Sequence, residues 1–485
     1  MKSFKNEIVS AIAWSGGLQV VAQIAGFMLS IVLARLLSPE AFGLIAIVLV
    51  FTALGELLCD LGLSSSLIRA KDNVKDQIFS CFLINVSCGL SLAIVVAIFH
   101  KEISLFFDDI RLSQVLLFAS PIFFINGWIC VPKTLLEKRL KHKLVATLEL
   151  VVTFLSAIFA IIFAYLGWGY WSLIIQIYVA VLLKAILLLY FSPVGIGKFK
   201  FSYVKELSGF GGTVFFTQLL MQLSMQSERI VVGKVLSMQA LGFYTRAFYL
   251  TNFPVKTISS NVSRVLFPAL SRISHEPDRV RAIYFKMVSL VSFLIFPMLV
   301  GLSYLSEEVI SFFLGEKWLP MKVYFQVFSL AGLVVSIATL SGAFYLSQGR
   351  ADLQLKVNLF NQPLHILLLL VGACHSFEGV VFAFFVSKII SAIVTWCVLS
   401  HLLKFEIKDI FRLIYSPLSI SLIMVSVLFS GESFFENSHM FFTIMVNASL
   451  GALLYLALSF AFKVKAIDEL KENADQNRFE QELIY

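Results

Sequence analysis

Lys184, Arg246, Lys256, Lys286 and Lys388 interrupt long apolar stretches of this chain. A charged side chain near the centre of a membrane helix costs about 2.5–3.5 kcal/mol on insertion scales, so each one needs a reason. Lys286 lies one turn from the end of its stretch and Lys184 lies in the same half of its own, so both can reach a headgroup layer with their long stems. Arg246, Lys256 and Lys388 sit deeper. They are expected to line a wet cavity with surplus positive charge, which would attract an anion such as a phosphate group. Arg holds phosphate in a two-pronged fork and Lys acts as a point charge. The acids in comparable positions are Glu56, Asp60, Glu149 and Glu228, slightly fewer than the cations. Pairing of each cation with one of them is the alternative.

Residues three and four apart share a helix face. One such stripe is Ser15, Gln19, Gln23, Gly26 and Ser30, and another is Gln218, Gln222, Met225 and Arg229. A third carries Thr245, Tyr249, Asn252, Lys256, Ser260 and Ser263, with Arg246 on its shoulder. Such faces are costly against lipid tails and belong against a neighbouring helix or water. Hydrogen bonds between packed helices are the plainer use for the glutamines. Pro121, Pro254, Pro297 and Pro363 fall inside apolar stretches and invite kinks; Pro254 lies between Arg246 and Lys256.

The elements that must position these residues follow from hydropathy. Of 485 residues, 59% are hydrophobic and only 14% charged, with a mean hydropathy of +0.89. Soluble domains carry about 25% charged residues, and a span needs about 20 mostly apolar ones. About fourteen stretches qualify: 10–34, 41–63, 77–99, 112–131, 144–166, 168–191, 208–228, 240–263, 282–304, 321–347, 354–374, 377–402, 413–430 and 440–462. The first is longer than a signal-peptide core and no cleavage site follows, so it is expected to be retained. About 26 of the 38 Lys and Arg fall at the N-terminus, in the even-numbered loops and in the tail, and about seven in the odd-numbered loops. That alternation predicts both termini in the cytoplasm. The net charge of +8 is then mainly topology, and no nucleic-acid partner is expected.

A shift of about 199 residues lays the first stretch on the seventh, pairing Gln19 with Gln218, Gln23 with Gln222, Leu37-Ser38 with Leu236-Ser237, Ala41 with Ala240 and Gly43 with Gly242. An even number of stretches separates the copies, so they share an orientation and form a parallel repeat, with the substrate path expected between halves. The predicted fold is an all-α polytopic membrane protein with two pseudo-symmetric six-helix lobes, 1–200 and 201–405, then two extra helices in 406–465 and a cytoplasmic tail, 466–485.

Catalytic and cofactor signals are missing. The sequence has no nucleotide-binding Walker motif. Its seven histidines and six cysteines show no metal-ligand spacing, and the cysteines read as small packing residues. Lys133 to Lys143 is a basic amphipathic stretch suited to anionic headgroups. No cofactor is expected, and a transporter is favoured over an enzyme.

Several runs resemble bacterial polysaccharide flippases of the Wzx type: Ala34-Arg-Leu-Leu-Ser-Pro-Glu-Ala-Phe-Gly43; Asp60-Leu-Gly-Leu followed by Arg69; Glu228-Arg-Ile-Val-Val-Gly233; Leu241-Gly-Phe-Tyr244; and Val265-Leu-Phe-Pro-Ala-Leu270. Leu136 to Lys143 is similar to the basic stretch after that family's fourth helix. The resemblance implies the multidrug/oligosaccharidyl-lipid/polysaccharide exporter superfamily and a central cavity between two lobes. It implies translocation of an undecaprenyl-pyrophosphate-linked oligosaccharide across a bacterial cytoplasmic (inner) membrane, for O-antigen, capsule or exopolysaccharide. Membrane lipids are expected contacts, and a polysaccharide polymerase and chain-length machinery expected partners. Arg246, Lys256 and Lys388 would then attract the pyrophosphate. Gln19, Gln23, Gln218, Gln222, Tyr249 and Asn252 would hydrogen-bond sugar hydroxyls. Asp60 with Arg69 and Glu228 with Arg229 are expected gate pairs, and Glu56 or Glu228 offers a site for ion coupling. An ion-coupled multidrug exporter of the same superfamily is the alternative, and it should favour acidic cavity residues. A membrane-embedded glycosyltransferase or polymerase would need a large outer loop or catalytic carboxylates, and a scaffold would leave the polar stripes unexplained.

Overall fold

The apolar stretches fold as helices, and the polar residues between them fix where each helix stops. The computed structural model describes residues 21, 23–69, 75–431, 440–462 and 464, a few of them by backbone alone. Gln19 and the tail beyond Val464 lie outside the described residues. The helices are α1 (Gln23–Leu36), α2 (Pro39–Asp60), α3 (Leu63–Arg69), α4 (Lys75–Phe106), α5 (Ile110–Lys138), α6 (His142–Tyr165) and α7 (Trp171–Phe191). They continue with α8 (Phe201–Val235), α9 (Met238–Arg272), α10 (Pro277–Tyr304), α11 (Ser306–Phe313), a 3-10 turn (Glu316–Met321), α12 (Lys322–Ala338) and α13 (Leu340–Ser347). The last are α14 (Ala351–His375), α15 (Phe377–Leu403), α16 (Ile407–Ser430) and α17 (Met440–Ala461). The described residues contain no strand.

Among the described residues, eleven segments are long and apolar enough to cross a membrane, with Glu316–Ser347 counted as one. The other three expected spans are α1, whose described part is shorter, and the polar helices α8 and α9. At 35 residues each, α8 and α9 exceed the ~20 that a crossing requires. This is a multi-pass membrane protein. Several ends differ from the hydropathy reading. The third span, expected over 77–99, runs Lys75–Phe106, because Lys101 and Glu102 extend the helix beyond its apolar part. The tenth, expected over 321–347, breaks at Thr339 into α12 and α13. The second ends at Asp60, where Leu61 and Gly62 both take left-handed backbone (φ 48° and 73°). α9 runs unbroken through Pro254.

Two compact units divide the chain, Met1–Thr245 and Arg246–Tyr485. In the first, α4 and α5 form a hairpin in which each helix offers a glycine to the other's backbone. A Cβ on Gly89 would stand 2.5 Å from the Phe123 carbonyl oxygen, and one on Gly127 would stand 2.6 Å from that of Asn85. α5 also packs on α2 and α7, α7 on α6, and α8 along α2 and α3. The α7–α8 connection is strapped to the start of α4. Lys198 N–H donates to Asp76 Oδ1 at 2.9 Å, and Lys200 N–H donates to Ser80 Oγ at 3.0 Å. The Lys200 ammonium, held above the usual lysine range by Tyr203 and then by Asp76, lies 3.5 Å from the Asp76 carboxylate.

The second unit is built on α10, which packs against α12 and α16, while α12 and α14 pack on α15. Its core holds the fully buried Tyr284, Phe296, Trp318, Tyr324 and Phe344. α15 starts at Ser376, whose hydroxyl accepts from Gly379 N–H at 2.9 Å. α16 starts at a capping box formed by Glu406 and Asp409. Large apolar side chains remain exposed on α4, α6, α7, α16 and α17, among them Ile98, Ile162, Tyr190, Phe429 and Leu453. On helices of this length they form the surface a bilayer would cover.

Candidate functional site

In the second unit one of the three deep cations rests on an aromatic cluster, and a second lies over a tyrosine of its own helix. Phe248 of α9 packs on Phe328 of α12 and Phe384 of α15, with ring centroids 5.8 and 5.9 Å away, and Phe328 and Phe384 lie 4.8 Å apart. The Lys388 Nζ stands over the Phe384 ring at 4.6 Å, which their spacing of one helical turn on α15 allows. On α9 the Arg246 guanidinium lies over the Tyr249 ring at 5.8 Å. Cation–π contacts of this kind contribute about 0.5–2 kcal/mol and hold a charge where few acids are available. Few are: α9 and α12 contain no Asp or Glu along their whole length, and α15 has only Glu378 in its first turn.

The open side of α9 is the striped one. Arg246 and Asn252 are half-buried and Tyr249 and Lys256 exposed, while Ala247, Leu250, Thr251 and Val255 are buried. In the first unit, Gln23 on α1 and Gln222 on α8 are half-buried and Gln218 is exposed. Phe248, Phe328 and Phe384 were not singled out in the sequence. The four-residue spacing of Phe384 and Lys388 was the available signal.

The expected gate residues also bind hydroxyl and amide groups. Asp60 Oδ1 accepts from both the N–H and the hydroxyl of Ser64, and Thr134 donates to Ser64 Oγ at 2.7 Å. Asp60 therefore caps α3 across the Leu61-Gly62 break. The side chain of Arg69, its expected partner, lies outside the described residues. Glu228 Oε2 accepts from the buried Tyr244 hydroxyl at 2.9 Å, and Arg229 Nη1 donates to Gln226 Oε1 at 3.2 Å. Glu56 is exposed on α2.

Near these residues the sequence repeat becomes visible as geometry. Ser38 Oγ accepts from Ala41 N–H at 3.4 Å, and its repeat mate Ser237 accepts from Ala240 N–H at 3.0 Å, so α2 and α9 begin with the same cap. Their first turns then cross in backbone contact. A Cβ on Gly43 would lie 1.7 Å from the Met238 carbonyl oxygen, and one on Gly242 would lie 1.9 Å from that of Pro39. Pro39 and Met238 are themselves repeat mates, so the contact is reciprocal.

Ion pairs fasten the α4–α5 turn beside this crossing. Lys234 Nζ lies 2.6 Å from Asp108 Oδ2, and Arg111 bridges Glu40 at 2.8 Å and Asp109 at 2.7 Å. The Asp108 side chain is 72% exposed, so its pair contributes at most about 1 kcal/mol. Asp108→Asn is expected to move the thermal midpoint by less than about 3 °C, read by thermal aggregation in detergent. A larger drop would assign the pair a structural role.

An apolar groove of about 430 Å³ lies between α2, α4 and α8, lined by Val50, Leu54, Phe99, Ile103, Phe106 and Ile230 with Glu102 at its edge. None of the candidate residues lines it, and its walls offer an anion no donor.

The family model described as "Polysaccharide biosynthesis protein" matches residues 32–323, and the chain belongs to this family. It is 24% identical to a membrane protein in the cps region of Klebsiella pneumoniae, covering 97% of this chain and 98% of that one. It is also 24% identical to the lipopolysaccharide biosynthesis protein WzxC of Escherichia coli K12, over 82% of each. In fold it resembles the lipid II flippase MurJ in an inward closed conformation, with a TM-score of 0.77 at 18% identity, over 94% of this chain and all of the other.

Proposed function

We propose that this protein is a flippase that carries an undecaprenyl-pyrophosphate-linked oligosaccharide repeat unit across the bacterial inner membrane, for surface polysaccharide assembly. The observation that carries the reading is the set of cations on acid-poor helices: Arg246 over Tyr249, Lys388 over Phe384, and Lys256 exposed further along α9. A diphosphate would bring negative charge to helices whose own sequences hold almost no carboxylates. The neighbouring hydroxyl and amide of Tyr249 and Asn252 suit sugar hydroxyls, as do Gln23, Gln218 and Gln222. The family and the naming of the Escherichia coli relative support the same class of substrate. The isoprenoid tail stays in the bilayer while the headgroup crosses.

In this reading both termini are cytoplasmic, the α2–α9 crossing lies on the periplasmic side, and the sequence halves 1–200 and 201–405 move against each other. A polysaccharide polymerase with its chain-length partner receives the product. An ion-coupled drug exporter would instead place carboxylates along α9 and α15.

The test is genetic and chemical. Cells lacking the protein should lose surface polysaccharide and accumulate lipid-linked repeat units on the cytoplasmic leaflet. Complementation by Arg246→Ala and Lys256→Ala should be partial, and by the double variant poorer still. Full restoration by all three would overturn the cationic site, and an unchanged pool of lipid-linked units would overturn the transport role.

A further inference from the structure

The basic stretch 133–143 divides into two parts in the structure. Lys133 lies 3.9 Å from Glu137 and 3.6 Å from Glu149, and Lys138 Nζ donates to the Leu67 carbonyl at 2.8 Å. Thr134, Leu135 and Leu136 are buried. This part is used by the fold. Arg139, Leu140, Lys141, His142 and Lys143 are instead exposed, at the turn that joins α5 to α6.

That turn ends α5 in a Schellman motif: Leu140 N–H donates to the Glu137 carbonyl at 2.9 Å, and Lys141 N–H donates to the Leu136 carbonyl at 3.0 Å. The residue after the cap then takes left-handed backbone and is usually glycine, because a Cβ there crowds the following carbonyl. Here it is Leu140, with φ 56° and a side chain 63% exposed. The leucine does not fill the core, since Leu136 and Val145 on either side of the turn close that cluster. The chain thus holds an apolar side chain outward among cations, at a position where glycine would suit the fold better. Strain kept in this way points to a use outside the fold.

The connection between α7 and α8 leaves from the same end of the first unit. Its Val194 packs against the cluster of Leu63, Leu67, Val131 and Leu135. Beyond it Ile196 is 90% exposed, and Phe199 and Phe201 are exposed around Lys198 and Lys200. Which surroundings the turn meets is set by α6. Lys143, Thr147, Val151, Leu155, Ile158 and Ile162 follow one another at steps of three or four and are all exposed. The apolar row that a bilayer would cover therefore runs straight into the turn. A surface built for water or for an acidic protein would continue into a polar row.

We infer that this end of the first unit binds anionic phospholipid, with Leu140 and Ile196 dipping into the upper acyl layer while Arg139 and Lys141 meet headgroup phosphates. Cations interleaved with exposed leucine, isoleucine and phenylalanine are what an interfacial surface requires: the apolar groups set its depth and the cations choose the headgroup. Such binding needs no assumption about what crosses the membrane.

The probe is phosphatidylglycerol brominated on its acyl chains, with brominated phosphatidylcholine as the neutral comparison. Each is titrated into full-length Leu140→Trp protein in neutral detergent, and the same titration of the wild type is subtracted to remove the six native tryptophans. Phosphatidylglycerol should quench the new tryptophan at about tenfold lower concentration than phosphatidylcholine, since one cation near an anionic surface is worth about fivefold. Adding Arg139→Gln and Lys141→Gln should bring the two lipids to within about threefold. Equal quenching by both lipids, or an unchanged preference in the glutamine variant, would overturn the anionic site. Quenching by aqueous acrylamide and by neither lipid would place the turn in water, overturn the lipid surface and favour an acidic protein partner.

A second measurement avoids the tryptophan. The thermal midpoint of the wild type should rise more with phosphatidylglycerol than with phosphatidylcholine. Leu140→Gly should melt within about 2 °C of wild type in detergent alone, because relief of the left-handed leucine offsets a freer unfolded chain. It should also lose most of the rise that phosphatidylglycerol gives. A much lower midpoint in detergent alone, or a full rise with lipid, would overturn the role of Leu140 and return it to packing.

Discussion

Gly43→Ala and Gly242→Ala are each expected to destabilise the protein by at least about 3 kcal/mol, the upper end of the usual overpacking range. The added methyl would lie 1.7 Å from the Met238 carbonyl oxygen in one case and 1.9 Å from that of Pro39 in the other. Both obstacles are backbone, so no side chain can rotate out of the way. Relief requires the first turns of α2 and α9 to part by about 1.5 Å, which breaks close packing over the whole crossing. Two glycine substitutions serve as controls. At Gly233 the nearest atoms are the side-chain ends of Ile47 and Leu241, at 3.0 and 3.2 Å, which can yield a little. At Gly301, inside α10, the nearest is the flexible Met424 methyl at 3.8 Å. Gly301→Ala should be neutral or stabilising by up to about 1 kcal/mol, since alanine is the better helix former. The double variant at positions 43 and 242 should cost less than the sum, because both methyls wedge one contact. Thermal unfolding in detergent reads all of these; single alanines as stable as wild type would mean that the helices do not cross this closely.

The second large effect is on transport. Lys388→Glu is expected to lower repeat-unit translocation about 30-fold or more with little change in thermal midpoint. Removing one charge of a desolvated ionic contact costs about 2–5 kcal/mol, and reversing it adds repulsion. The side chain is half-buried and rests on Phe384, so the loss of a stacked cation contributes little to folding itself. Phe384→Leu, which leaves the charge and removes its platform, should fall between wild type and Lys388→Glu. Arg246→Lys should lose about tenfold, since it keeps the charge and loses the fork. The ratio of cytoplasmic-leaflet lipid-linked units to finished polysaccharide measures each variant. Normal ratios in Lys388→Glu would remove Lys388 from the path.

Much of the fold was legible because membrane helices announce themselves by length and hydropathy. Even the polar α8 and α9 were placed, since the basic loops on either side constrained them. Their ends were less legible: the break at Leu61-Gly62 depends on two left-handed residues, and hydropathy is blind to backbone dihedrals. On α9, Tyr249 and Lys256 stand exposed and Asn252 half-buried, while the side chains of Ser260 and Ser263 lie outside the described residues; helical periodicity alone decides which residues share a face. Contacts between helices were not legible. His365 meets Ser387, and Phe248 meets Phe384, across turns and helices whose packing no periodicity encodes. Asp60 was visible as an acid inside a span, but its contact with Ser64 depends on the left-handed Leu61-Gly62 break, which hydropathy does not report. Gly43 and Gly242 were matched by the repeat, but a sequence match shows that two positions are alike without showing what each one touches.

That reciprocity has a further meaning. Position 39 touching position 242 while position 238 touches position 43 is the pattern of an isologous interface, in which one patch meets its own copy across a two-fold axis. Two identical subunits joined at this spot would obey the same rule, with each glycine answering for its counterpart. Within one polypeptide the two copies need not match elsewhere, but at this point a change on one side has to be accommodated by the other.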